Sequence, residues 1–146
     1  MSDDCIFCRI ASGRLRAHVV YESDQIVAFL DRNPIRPGHT QIVPRAHIPY
    51  FDQAPADIIT SIVLLGQNLA SRMKQLYHVP RVGFLFTGGD IAHMHAHVVP
   101  LHEKADITSR HYIAEAKLTF REAPSMSDKI LASTATELRQ ALGVMD

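Results

Sequence analysis

The chain has 146 residues, 47% of them hydrophobic and 21% charged, ordinary fractions for a globular domain with a real core. Fifteen basic residues balance fifteen acidic ones, so the formal net charge is zero. That argues against sequence-independent binding to nucleic acid or to an anionic membrane, both of which need a basic excess. No apolar run approaches the roughly 18 residues that span a bilayer, and Met1-Ser2-Asp3-Asp4 lacks the charged-then-apolar order of a secretory signal. A single cytoplasmic domain over residues 1–146 is the expectation.

The first predicted element is a short helix over Cys5 to Ala11, closed by Gly13. Strands follow at Val19 to Tyr21 and Ile26 to Leu30. Asp31-Arg32-Asn33-Pro34 and Arg36-Pro37-Gly38 carry turn chemistry. His39 to Val43 alternates polar and apolar residues and reads as a strand ended by Pro44. A long helix starts near Pro55 and Asp57. Ile58, Ile62, Leu65, Leu69, Met73 and Leu76 recur at spacings of three and four and form one buried stripe. Val82 to Phe86 is another strand, turned by Gly88-Gly89-Asp90. The histidine run with Val98-Val99 forms the next strand, ended by Pro100. Ser125 and Asp128 have capping-box spacing ahead of a final helix carrying Ile130, Leu131, Thr134, Leu138, Ala141 and Leu142. Early strands, one long helix and returning strands predict an α+β fold with an antiparallel sheet.

Three of the nine histidines fall within five residues, His93-Met94-His95-Ala96-His97. On a strand they share one face, while Met94, Ala96 and Val98 face the helix side. Three imidazoles, each needing partners for a donor and an acceptor, suit neither a core nor an idle surface. Two readings compete. His-x-His can present two nitrogens to a metal ion. A neutral imidazole is also a good nucleophile near pH 7 and can attack phosphorus to form a covalent intermediate.

His93-Met94-His95-Ala96-His97-Val98-Val99 fits a His-φ-His-φ-His-φ-φ pattern, with φ hydrophobic. With Cys5-Ile6-Phe7-Cys8-Arg9-Ile10, Ala28-Phe29-Leu30-Asp31 and the segment Pro37 to Ile48, it resembles the histidine triad (HIT) family in its Hint-like branch. The resemblance covers Cys5 to about Leu101 and leaves 102–146 as a C-terminal helical extension. It implies a five-stranded antiparallel sheet with one long and one or two short helices, and a homodimer with a ten-stranded sheet. It implies a hydrolase acting on a purine nucleoside 5′-phosphoramidate or a dinucleoside polyphosphate, through a nucleotidyl-histidine intermediate and with no catalytic cofactor. His95 is then the nucleophile, His97 contacts the phosphate and leaving group, and His39 lies beside the phosphate. Asp31 takes the ribose hydroxyls and Phe29 belongs to the nucleoside-binding strand. An intact His97 favours hydrolysis over nucleotide transfer to a sugar phosphate.

Some Hint-like members hold a structural zinc, and by resemblance Cys5, Cys8, His47 and His93 are its ligands here, a sound tetrahedral set. Gly88 and Gly89 either let the backbone approach the phosphate or only make the turn, and Asp31 equally suits a turn. Where many members place a hydroxyl, this chain has Asp90, which when ionised cannot donate to a phosphate. With a loop before it that also looks shorter, that motivates one alternative, a nucleotide-binding or interaction module with vestigial catalysis; a metal-dependent enzyme using the triad itself as ligands is a further one. His18, His78, His102 and His111 sit in no motif, and Arg45 reads as a solvated surface residue.

Overall fold

The structure, a computed structural model, describes residues 4–89, 91–107, 125 and 127–141. Asp90, His111 and Leu142 lie outside the described residues, as does the side chain of Leu138. The chain falls into two units, residues 1–113 and 114–146. In the first unit α1 (Ile6–Ala11) is followed by β1 (Val19–Glu22), β2 (Ile26–Leu30), β3 (Thr40–Pro44), α2 (Ala56–Leu76), β4 (Arg81–Phe86) and β5 (Ala96–Leu101). A single 3-10 turn, Phe51–Gln53, precedes α2. The second unit contributes α3 (Asp128–Ala141).

The strands form one five-stranded sheet in the order β1-β2-β3-β5-β4, and each neighbouring pair is antiparallel. β4 and β1 are its edges. Alternation along the strands sorts residues onto two faces. Ile26, Ala28, Ile42, Ala96 and Val98 pack with Met94 against Ile58, Ile62 and Met73 of α2. Val27, Phe29 and Val43 face the other way and pack with Phe7 and Ala11 of α1. Each Ile or Val fully buried in these clusters contributes roughly 1.5–3 kcal/mol. Gly66 of α2 lies against Phe84 of β4, whose ring occupies the space a side chain there would need.

Three boundaries differ from the sequence expectation. Leu76, the last residue of the predicted stripe, is 70% exposed, because α2 ends there and Tyr77 packs on the core instead. Pro100 does not end its strand. It pairs with Val82 inside β5, and pairing runs on to Leu101. The first turn of α3 is capped by Ser127, whose hydroxyl accepts from the Ile130 amide at 3.3 Å, not by Ser125.

Arg45 also departs from its expected place in solvent. Its Nε donates to the Ser23 carbonyl at 2.6 Å, Nη1 to the Ala11 carbonyl and Nη2 to Glu22 at 2.9 Å. One guanidinium thus ties the end of α1 to the β1–β2 turn, using the fork geometry that lysine lacks. Among the described residues, no helix is long and apolar enough to cross a membrane.

Candidate active site

The site forms where β5 begins. Pairing of β5 with β3 starts at Ile42 with Ala96. Pro44, farther along β3, has no N–H to extend the ladder, and its carbonyl accepts from His93 Nε2 at 2.9 Å. His93 and His95 therefore precede the strand, and of the three only His97 belongs to it. This corrects the expectation of one strand carrying all three. The rings nevertheless gather on the α1 side. Phe7 stands edge-on to His93 and His95, with centroids 5.9 and 5.1 Å away, and His95 stands edge-on to His97 at 5.0 Å.

Backbone partners decide which nitrogen each neutral ring presents. A carbonyl only accepts, so His95 Nδ1, 2.8 Å from the His93 carbonyl, carries the proton, and Nε2 keeps the lone pair. His93 is the reverse, with its proton on Nε2 and Nδ1 bare. The amide of Ile35 donates to His39 Nδ1 at 3.1 Å, which puts the His39 proton on Nε2. That Nε2 donates to His97 Nδ1 at 2.9 Å, leaving the His97 proton on its own Nε2.

Burial favours the neutral form of His39 and His97. Burial lowers the pKa of His39 against the pull of Asp31. Burial, then His39 and His95, push His97 down to about 4, with Asp31 again opposing.

The loop between β2 and β3 delivers the Ile35 amide, and it is pinned at several points. Asp31 Oδ1 accepts from the Asn33 amide at 2.8 Å, so the turn reading of Asp31 holds. Gly38 has φ +96, and the Tyr77 ring fills the space its Cβ would take. Arg36 Nη2 donates to Asp106 Oδ1 at 3.0 Å. Asp106 is fully buried, and its Oδ2 accepts from the amides of His102 and Glu103 at 2.8 and 2.9 Å. Burial opposes its ionisation, but Arg36 and the two amides overcome that and hold the carboxyl down at about 2.

Two hollows flank the rings. The larger, about 570 Å³, is lined by Phe7, Ile10, Phe29, Asp31, Gln41 and Ile91 among others. The smaller, about 140 Å³, is bordered by His95, Met94, Gly88, Tyr50, Phe51 and Phe86. Phe51 and Phe86 stack there at 5.3 Å and 19°. Gly88 adopts φ +59, and Gly89 follows it, exposed. Asp31 Oδ2, on the larger hollow, accepts from Gln41 Nε2 at 2.6 Å and lies 3.7 Å from His39 Nε2.

A second cluster sits beside the first. Cys5 caps α1, and Cys8 lies one turn on. Cys5 Sγ is 3.4 Å from His93 Nδ1, while Cys8 Sγ is 3.3 Å from His47 Nδ1 and 3.5 Å from His93 Nδ1. All four ligand atoms lie within 4.8 Å of one another. A tetrahedral zinc with ordinary bond lengths sets sulfur–nitrogen edges at about 3.6 Å, so the donor set fits such an ion. The Pro44 carbonyl on His93 Nε2 orients the ring for it. Asp31, His39 and His97 also converge within 4.8 Å, but their closest nitrogens, 2.9 Å apart, are already joined by a hydrogen bond.

An antiparallel sheet with a long helix on one face and a cluster of histidines, tied by the backbone, on the other defines a histidine triad protein. The HIT domain family matches residues 12–104, and the chain belongs to that family. It is 35% identical over 103 residues to an uncharacterized HIT-like protein of Methanocaldococcus jannaschii, covering 68% of this chain and 80% of that one. The adenylylsulfatase HINT3 of Arabidopsis thaliana is 26% identical over 109 residues, covering 71% of this chain and 55% of that protein. The crystal structure of a zinc-bound histidine triad family protein from Mycobacterium smegmatis superposes with a TM-score of 0.64 at 25% identity, covering 94% and 97% of the two chains.

Sequence reasoning missed Phe7, Ile35, Gln41 and the Arg36–Asp106 pair. Phe7 lies inside the Cys5–Cys8 motif, which drew attention only to its thiols. Arg36 and Asp106 are 70 residues apart, and no local pattern joins them.

Proposed function

We propose that the protein is a nucleotide hydrolase that uses His95 Nε2 to attack the α-phosphorus of a nucleoside 5′-phosphate derivative. The observation that carries this reading is the 2.8 Å bond from His95 Nδ1 to the His93 carbonyl, which turns the lone pair of Nε2 outward without any further group. A nitrogen–phosphorus bond forms at His95 as the bond from phosphorus to the leaving group breaks. The leaving group takes a proton from His97, whose ring the bound phosphate holds in the protonated form, and the ring returns to neutral. Water then attacks the nucleotidyl-histidine, returns a proton to His97 and frees the mononucleotide. An anionic phosphate beside His97 adds to the pull of Asp31, and so raises the pKa of His97 toward the working range.

The larger hollow suits the nucleoside, with Phe29 against the base and Asp31 at the ribose. The smaller one, beyond His95, suits the leaving group. Among the described residues its border carries aromatic rings and Asp52, and neither lysine nor arginine. A polyphosphate tail gains nothing from that wall, so a phosphoramidate is preferred over a dinucleoside polyphosphate. That the Arabidopsis relative HINT3 is an adenylylsulfatase agrees with chemistry on an adenylyl group.

Cys5, Cys8, His47 and His93 would hold zinc as a structural ion, fixing the segment that leads into His95. A reducing cytoplasm keeps both thiols available for it. A homodimer joined along the β4 edges would cover Phe84, which is 37% exposed.

Two displacements at phosphorus predict net retention of configuration. The test is hydrolysis of an adenosine 5′-phosphoramidate made chiral at phosphorus, run beside diadenosine polyphosphates. Retention, with faster turnover of the phosphoramidate, is expected. Inversion would overturn the covalent route. A nucleotide sensor with vestigial catalysis, which the low pKa of His97 would suit, predicts binding without turnover of either substrate.

A further inference from the structure

Gln41 is a polar residue placed where the sheet would otherwise present an apolar wall. Cross-strand pairing sets Phe29 beside Gln41 and Gln41 beside His97. The three side chains thus stand in a row on one face, with adjacent strands about 4.8 Å apart. With the base at Phe29 and the phosphate at His97, the residue between them meets the sugar. This step rests on the nucleotide reading above.

The orientation of the Gln41 amide follows from its neighbour. Asp31 Oδ2 is 2.6 Å away and, as a carboxylate, only accepts, so the atom facing it is the NH₂ group. Oε1 must then point away from Asp31. It is buried and has no partner among the described residues. Buried acceptors of this kind are rare in folded proteins and call for an explanation. Gln41 and Asp31 both line the larger hollow, and the last torsion of a glutamine is soft.

The acceptor count matches a ribose. Of the four lone-pair positions on Asp31, two are taken by the Asn33 amide and by Gln41 Nε2. The remaining positions and the orphaned Oε1 can take hydrogen bonds from two vicinal hydroxyls, but a deoxyribose brings only one. We propose that Gln41 makes this site selective for ribonucleotides, its Oε1 accepting a hydrogen bond from one ribose hydroxyl while Asp31 accepts from the other.

The experiment is calorimetric binding of AMP, 2′-deoxy-AMP and 3′-deoxy-AMP to the full chain and to Gln41→Met, which keeps length and volume but has no acceptor oxygen. The wild-type protein is expected to bind AMP at least about tenfold more tightly than one of the two analogues. In Gln41→Met that ratio falls at least about fivefold, while the affinity for the discriminated analogue changes by less than about threefold. Equal wild-type affinities for all three nucleotides would overturn the proposal, whether or not the variant folds. So would an unchanged ratio in a variant that still binds AMP. Turnover is not read here, so failure to hydrolyse any nucleotide would count against the hydrolase reading alone.

Discussion

His93 and His95 carry the same side chain two residues apart, yet the backbone holds opposite nitrogens. The Pro44 carbonyl takes His93 Nε2 and leaves Nδ1 facing Cys5 and Cys8. The His93 carbonyl takes His95 Nδ1 and leaves Nε2 bare. One end of the segment thereby keeps the lone pair that the proposed metal site needs, and the other the lone pair that the proposed nucleophile needs. Residue type sets neither outcome. The carbonyl that captures the unused nitrogen does, and carbonyl positions depend on where the β3–β5 ladder stops.

The sharpest way to break the comparison is to remove the nucleophile. His95→Ala is expected to lower turnover at least about 1,000-fold, roughly 4 kcal/mol in the barrier, while nucleotide binding persists. A loss smaller than about tenfold in steady-state kinetics would contradict the role. At the other end, Cys8→Ser should abolish the binding of one zinc per chain and cost more than about 4 kcal/mol of stability, with a loss of rate per folded molecule far smaller than that of His95→Ala. Elemental analysis and denaturant titration read both quantities.

Asp106 tests whether the neutral chain of rings depends on the loop that feeds it. Asp106→Ala leaves Arg36 without its buried carboxylate and is expected to cost about 3 kcal/mol, the lower end for a broken buried pair because Arg36 keeps some access to water. Its folded pKa lies below the ordinary 3.8, so this contribution is full above that value and is lost only as pH falls through about 2. The smallest effect is the slope at milder pH. His39 and His97 are depressed below 6.5, so the unfolded chain takes up their protons first. Their part of the stability is full above about 6.5 and declines as pH falls toward 4. Urea midpoints should drop over that window, and His97→Gln should flatten the drop.

Much of this was legible in the sequence where a period or a short motif carried it. The α2 stripe runs from Ile58 to Met73 because helical spacing is local, and Cys5, Cys8, His47 and His93, singled out by a short motif and a resemblance, lie together in the fold. The failures share one physical cause, partners distant in sequence. Arg45 reads as solvated until Ala11, Ser23 and Glu22 are brought to its guanidinium. The three histidines read as one strand until Pro44, on β3, ends the pairing and captures His93. Gln41 looks like a routine polar residue in an alternating strand until its register sets it between Phe29 and His97.

The central claim is that His95 Nε2 takes the nucleotidyl group. Rapid quenching of the full-length protein with an adenosine 5′-phosphoramidate labelled at phosphorus, followed by peptide mapping, tests it directly. The prediction is one acid-labile adenylyl group per chain, located on His95 and absent from His95→Ala. Turnover without any adduct, or an adduct mapped to His97 or His39, would contradict the account.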